Sequence, residues 1–277
     1  MEENLHPAPL TKEDYSEPCC PLDLHPEVTP IPIRRVLAKL DGYLGQNDYA
    51  AGDRLLLNWL READACGDRQ GKLTVLNEQI GIYRKMGKAS ECLAAINAAL
   101  ALMQELQMED AVTGGTTYVN AATGYKALGR AADALPLYRR AQAVYEARLA
   151  PDDDRLAALY NNMALTLTAL EQYREAEELF GKALAIMEQR PHGEAEAAIT
   201  CLNLADLICA EEGYEAGEER IEAYLRRAEA LLDTEDLPRD GNYAFVCEKC
   251  APVFGCYGYF YTEETLKQRA REIYERT

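Results

Sequence analysis

Positions 45, 87, 129, 171, 213 and 255 are spaced 42 residues apart, and glycine fills five of them: Gly45, Gly87, Gly129, Gly213 and Gly255. Glu171 holds the remaining place. A fixed period in this range marks a chain of similar units, each too small to hide its apolar side alone and each sheltered by the next. Glycine at a fixed slot supplies the left-handed backbone that stops a helix and reverses the chain. The period therefore sets the architecture before any single residue is interpreted, and it points away from a compact catalytic fold.

Between the glycines the apolar residues fall at helical spacing. In the fourth unit Tyr160, Met163, Ala164 and Leu167 stand at i, i+3, i+4 and i+7, one face of a helix. After a turn at Glu171 and Gln172, Tyr173, Ala176, Phe180, Ala183 and Ile186 or Met187 form a second stripe. Asp152, Asp153 and Asp154 precede this unit and suit its N-terminus, where a carboxylate caps orphan N–H groups and meets the positive end of the dipole. The third unit repeats the plan with Tyr118, Ala122 and Tyr125, then Ala134, Tyr138, Ala141 and Val144. The second has Leu76, Ile80 and Tyr83, then Cys92, Ile96 and Ala99; the fifth has Cys201, Ala205 and Ile208, then Gly217, Ile221 and Tyr224. Small residues at Ala134, Ala176 and Gly217 let paired helices approach closely, and the register slips by a residue or two in the first, fifth and sixth units.

Tyr160, Ala164, Leu167, Ala176, Phe180 and Ala183 resemble the tetratricopeptide repeat pattern, with Leu167 in place of the usual tyrosine. The common repeat of that family is 34 residues long; the 42-residue period here is similar to the extended repeats of the kinesin light chain type. The resemblance covers about residues 33 to 276, and it implies an all-α, right-handed α-α superhelix, a TPR solenoid of about six helix pairs, with the first helix of each pair lining a concave groove. Residues 1–32 stand apart: seven of the twelve prolines lie there, which forbids a helix and predicts an extended arm. Residues 33–277 are expected to form the repeat domain, ending in a capping helix opened by Thr262, Glu263 and Glu264.

Charge narrows the partners. With 47 acidic against 29 basic residues the formal charge is −18, which opposes a phosphate backbone and excludes nucleic acid in the absence of a basic stripe. No apolar run reaches the ~18 residues of a membrane span, and the first fifteen residues lack a secretory pattern. The expectation is a cytoplasmic protein with reduced cysteines acting as small hydrophobes.

The candidate binding residues are amides. Asn120, Asn162 and Asn203 hold one first-helix slot in three successive units, with Asn161 and Asn77 beside it and Glu78 in that slot in the second unit. An amide carries donors and an acceptor, so a row of them brackets an extended peptide's main chain without demanding a sequence; in the resembled family asparagine here often contacts peptides. A side chain tying neighbouring inner helices together is the equal alternative. Arg84 and Lys126, each three residues before its glycine, form a basic pair suited to a carboxylate, or simply complement helix C-termini. The pattern of the family's carboxylate clamp is missing: Thr116, Ala158 and Ile199 hold one clamp slot.

Two further features bear on metal binding and on association. Cys247, Cys250 and Cys256 give a CxxC and a third thiol, short of the four ligands of structural zinc unless Cys19 and Cys20 fold back to join them. The segment 241–262 concentrates aromatic residues, either closing the end of the array or offering a patch for a partner or self-association. His6, His25 and His192 belong to no catalytic arrangement, and the Gly114–Gly115 pair is read as an inter-repeat loop. The sequence thus predicts a non-enzymatic protein- or peptide-binding scaffold that needs no cofactor or metal. The alternatives are a peptide-sensing regulator acting through a separate output partner, and a thiol or metal site at the C-terminal end.

Overall fold

The computed structural model describes residues 30–276, and among them every regular element is a helix. Twelve helices follow in six pairs: α1 (Ile33–Gly45) and α2 (Tyr49–Cys66), α3 (Arg69–Lys85) and α4 (Ala89–Glu105), α5 (Val112–Ala127) and α6 (Ala131–Arg148), α7 (Asp154–Ala169) and α8 (Tyr173–Glu188), α9 (Glu194–Glu212) and α10 (Tyr214–Leu232), α11 (Gly241–Cys256) and α12 (Phe260–Tyr274). The fold class is that of a tetratricopeptide array. The chain divides into two compact units, up to Leu137 and from Tyr138 on, with the division inside α6 just after Pro136. The arm predicted over residues 1–32 lies, up to residue 29, outside the described residues.

In the first unit α1 packs on α2, α2 on α3, and α3 on both α4 and α5. In the second unit α7 packs on α8 and α9, and α9 packs on α10 and α11, with α12 closing on α11. The first helices α3, α7, α9 and α11 therefore each touch their own partner and the first helix of a neighbouring pair. The apolar stripes supply these contacts: Ile80, Ile96, Leu159, Phe180, Ala183, Ile221 and Ala228 are excluded from water, each large one contributing roughly 1.5–3 kcal/mol. Close approach is visible at Gly217, where an added Cβ would lie 2.6 Å from Ile208 Cγ2 on α9. The second helices of the second unit carry ion pairs instead. Arg139 grips Glu175 through two 2.9 Å bonds, and Arg220 meets Glu177 at 2.6 Å. Exposed pairs of this kind add only about 0.2–1 kcal/mol each.

The recurring turn slot is left-handed where the period is strict. Gly87, Gly129 and Gly213 have φ of 68°, 73° and 81°, and Glu171 adopts φ 59° in the same place. The end units depart from it. Gly45 is the last residue of α1, and Asn47 takes the left-handed conformation with φ 56°. Gly255 lies inside α11, and Gly258 turns the chain with φ 83°; the Glu263 carboxylate of α12 rests where a Gly255 Cβ would stand. At Gly255 the slot number persists while the physical need changes from a turn to a close contact; at Gly45 an added Cβ would meet nothing within 4 Å.

Two local expectations shift, and a third narrows to one residue. α12 begins at Phe260, so Thr262 sits in its first turn and donates to Glu229 Oε1 at 2.6 Å rather than opening the helix. Gly114 and Gly115 belong to the first turn of α5, where the Met108 carbonyl leaves no room for a Cβ at Gly114. At α7 the cap falls to Asp153: it accepts from the Arg155 N–H at 3.0 Å and holds the guanidinium, which lowers its carboxyl to about 2.

Candidate functional site

The asparagines occupy the half-buried side of the first helices, and the structure divides them into two clasps. In the first unit Asn77 of α3 is buried and faces α5. Its Nδ2 donates to Thr117 Oγ1 at 3.0 Å, and its Oδ1 accepts from Asn120 Nδ2 at 3.3 Å. Thr117 in turn donates to the Thr113 carbonyl at 3.0 Å. In the second unit Asn161 of α7 faces α9 in the same way. Its Oδ1 accepts from Asn203 Nδ2 at 3.0 Å and lies 3.3 Å from Thr200 Oγ1, whose nearer acceptor is the Glu196 carbonyl at 3.1 Å. Asn162 donates to the Ala158 carbonyl of its own helix at 2.9 Å.

The alternation has a sequence cause. The place of Asn77 is taken by Val119, Asn161 and Leu202 in the next three units, so an amide acceptor recurs in every second one. The clasps tie successive first helices together. They also fix the rotamers of Asn120 and Asn203, each of which gives one N–H to the clasp. The Oδ1 and the second N–H of each have no hydrogen-bond partner among the described residues and sit on half-buried side chains. That residue of capacity, one acceptor and one donor, is the complement of a peptide unit.

Charged groups flank the first clasp. Arg84 is exposed and Lys126 half-buried in the last turns of the adjacent helices α3 and α5. Burial, and then the Arg84 charge, hold the Lys126 amine down at about 8. Two cations kept this close favour an anion between them. Glu78 holds the Asn120 slot on α3; burial and then the Asp41 carboxylate raise its pKa.

The C-terminal cysteines have a packing explanation that spacing alone hid. Tyr243, Cys247 and Cys250 repeat Tyr160, Ala164 and Leu167, so the CxxC is the i, i+3 step of a core stripe. Cys247 and Cys250 are buried and Cys256 is exposed. Burial raises the Cys247 thiol and pushes Cys250 up to about 12, which keeps both protonated. No three His, Cys, Asp or Glu side chains among the described residues are placed to hold a metal ion; Cys19 and Cys20, the other half of that idea, lie outside them, as do His6 and His25. His192 is exposed in a turn with φ 61°. The aromatic segment splits: Tyr243 and Phe254 fill the core, whereas Phe245, Phe260 and Tyr261 are 48%, 69% and 86% exposed. No described helix is long and apolar enough to cross a membrane.

Comparison with known proteins agrees with this geometry. Two overlapping stretches, residues 72–147 and 115–189, match the tetratricopeptide repeat family. Residues 72–189 are tetratricopeptide repeats. No curated protein matches the chain in sequence. Among solved structures it is similar to BtubC (BKLC) of P. vanneervenii, with a TM-score of 0.63 at 19% identity over 75% of this chain and 84% of that one. It is similar to a putative kinesin light chain of nearly identical TPR-like repeats from Podosopora anserina, with a TM-score of 0.55 at 16% identity over 74% and 96%. It is also similar to NprR in complex with its cognate peptide NprX, with a TM-score of 0.51 at 17% identity over 86% and 66%. At these identities the likeness is one of fold, and the fold is the tetratricopeptide helix-pair array, including its kinesin light chain form.

Proposed function

We propose that this protein is a non-enzymatic scaffold that binds an extended peptide or protein segment along its first helices. The observation that carries the reading is the pair of clasped amides. Asn120 and Asn203 are each held in one rotamer with a donor and an acceptor left over, and preorganised groups bind without the entropic cost of being ordered. Asn162 holds the same slot on α7 in the second unit, and Asn77 and Asn161 position their neighbours. Arg84 and Lys126 would receive a carboxylate of the same ligand. The NprR structure, a complex with its cognate peptide on a similar fold, supports the class of ligand; the second reading is a peptide-sensing regulator that acts through a separate output partner. The reading includes a reducing, cytoplasmic setting, which the buried free thiols Cys92, Cys201, Cys247 and Cys250 suit.

The test replaces Asn120, Asn162 and Asn203 with alanine, singly and together, and measures thermal melting beside capture of partners from a lysate. Asn162→Ala removes a bond within its own helix, and a melting curve reads what the substitution costs in stability. Asn120→Ala leaves the buried Asn77 oxygen without its donor and should cost about 1–3 kcal/mol. Loss of capture in Asn162→Ala, or in the triple variant below its melting transition, supports the groove. Capture that survives in the folded triple variant contradicts it.

A further inference from the structure

Four of the six large apolar or aromatic side chains that stand exposed among the described residues belong to the last helix pair: Phe245, Phe260, Tyr261 and Tyr274. Charge singles out the same pair. Residues 241–277 hold five acidic and five basic residues, so the whole formal charge of −18 lies in the preceding 240. Two copies of so acidic a chain repel one another over most of their surface, and this pair is where the repulsion is least.

On α12 two seams run along the helix. Thr262, Leu266, Ala270 and Ile273 form the buried one, and Thr262 and Arg269 reach Glu229 and Asp233 of α10, each at 2.6 Å. On the other side Phe260, Glu264, Lys267, Arg271 and Tyr274 recur at steps of four, three, four and three, the spacing of a helix–helix seam, and all five are exposed. Tyr274 is tied to α11 through its hydroxyl, which donates to Glu248 Oε2 at 3.1 Å, while its ring remains 45% exposed. In the fourth pair the same places are a packing face. Counted from the left-handed turn residue, Glu171 there and Gly258 here, they fall on Tyr173, Glu177, Phe180, Leu184 and Met187. Phe180, Leu184 and Met187 are buried, and Glu177 meets Arg220 of the following α10.

We propose that the exposed seam of α12 is an interface between two copies of this chain, with the two α12 helices antiparallel about a two-fold axis at Lys267. That register sets Phe260 against the second copy's Tyr274 and Glu264 against its Arg271, and the symmetry repeats both contacts at the other end. Only Lys267 meets its own equivalent, and each Lys267 is already neutralised by Glu263 of its own helix at 2.5 Å. A parallel arrangement would stack Glu264 on Glu264 and Arg271 on Arg271, which like-charge repulsion opposes. Within one chain Arg271 holds Glu264 at 2.7 Å across two turns, an exposed pair worth little; in the dimer each takes the same kind of partner from the other copy. One helix on one helix lies at the low end of the roughly 1,200–2,000 Å² interface class, so the association is weak and concentration-dependent. The inference is independent of the peptide groove.

The experiment is charge exchange across the seam, read by sedimentation equilibrium over a concentration series at fixed ionic strength. Arg271 and Glu264 are 57% and 68% exposed, so Arg271→Glu and Glu264→Arg should both fold, and melting curves check it. The wild type should pass from monomer to dimer. Each variant alone sets like charges together twice and should dimerise about tenfold more weakly. An equimolar mixture of the two restores opposite charges at both contacts and should dimerise as the wild type does; so should the double variant Glu264→Arg with Arg271→Glu. A wild type that stays monomeric at every concentration refutes the interface. So do folded single variants that dimerise like the wild type, or a mixture that associates no better than either variant alone.

Discussion

Glu171 has φ 59° in the slot where glycine serves other units. A side chain in left-handed backbone costs roughly 1–2 kcal/mol, so Glu171→Gly should raise the stability measured by urea denaturation by about 1 kcal/mol after the entropy of the freer glycine is subtracted. A fall in stability would show that the carboxylate has a role the turn does not reveal. Lys126 gives a prediction with a sign. Its folded pKa of about 8 lies below the model-peptide value of 10.5, so between those pH values the unfolded chain binds more protons than the folded one. This group therefore makes the protein more stable as pH rises through that window. Because burial is the first cause and Arg84 the second, Arg84→Gln should move the Lys126 titration upward but not all the way to 10.5. NMR of the lysine side chain reads it; an unmoved titration would place Arg84 too far away to matter.

Helix pairs meet through small residues, and Gly217 is the tightest case between α9 and α10. Gly217→Ala pushes a methyl group into Ile208, and overpacking of this kind typically costs 1–3 kcal/mol. A melting temperature equal to or above that of the wild type would contradict the packing described. Most of this level was legible in the sequence, because periodicity and residue size act locally. Tyr160, Ala164 and Leu167, or Ala176 and Phe180, specify their own buried face wherever the helix sits. What escaped was set by neighbours. Gly45 and Gly255 kept the period while Asn47 and Gly258 made the turns, since the terminal pairs lack a flanking unit to enforce the register. The amide row was legible as a row; its division into Asn77–Asn120 and Asn161–Asn203 clasps depends on which helix each side chain faces, although the alternation of Asn77, Val119, Asn161 and Leu202 was a signal available for it. The CxxC could have been explained by carrying the core stripe forward one period.

At the scale of the whole molecule, a strongly acidic repeat array exposes Phe260 and Tyr261 in the first turn of its last helix. Exposed aromatics at the end of an array invite a second molecule. Sedimentation should show concentration-dependent association that Phe260→Ser with Tyr261→Ser abolishes, and an unchanged profile would return that pair to the role of a solvent-facing cap. The central claim is that clasped amides on the first helices receive a peptide. The most direct measurement follows the side-chain NH2 resonances of Asn77, Asn120, Asn161 and Asn203 by NMR while a display-selected peptide is added. The resonances of Asn120 and Asn203 should shift and saturate together with binding, and those of Asn77, which is buried behind its clasp, should shift least. A peptide that saturates the protein while the Asn120 and Asn203 resonances stay in place would contradict the account.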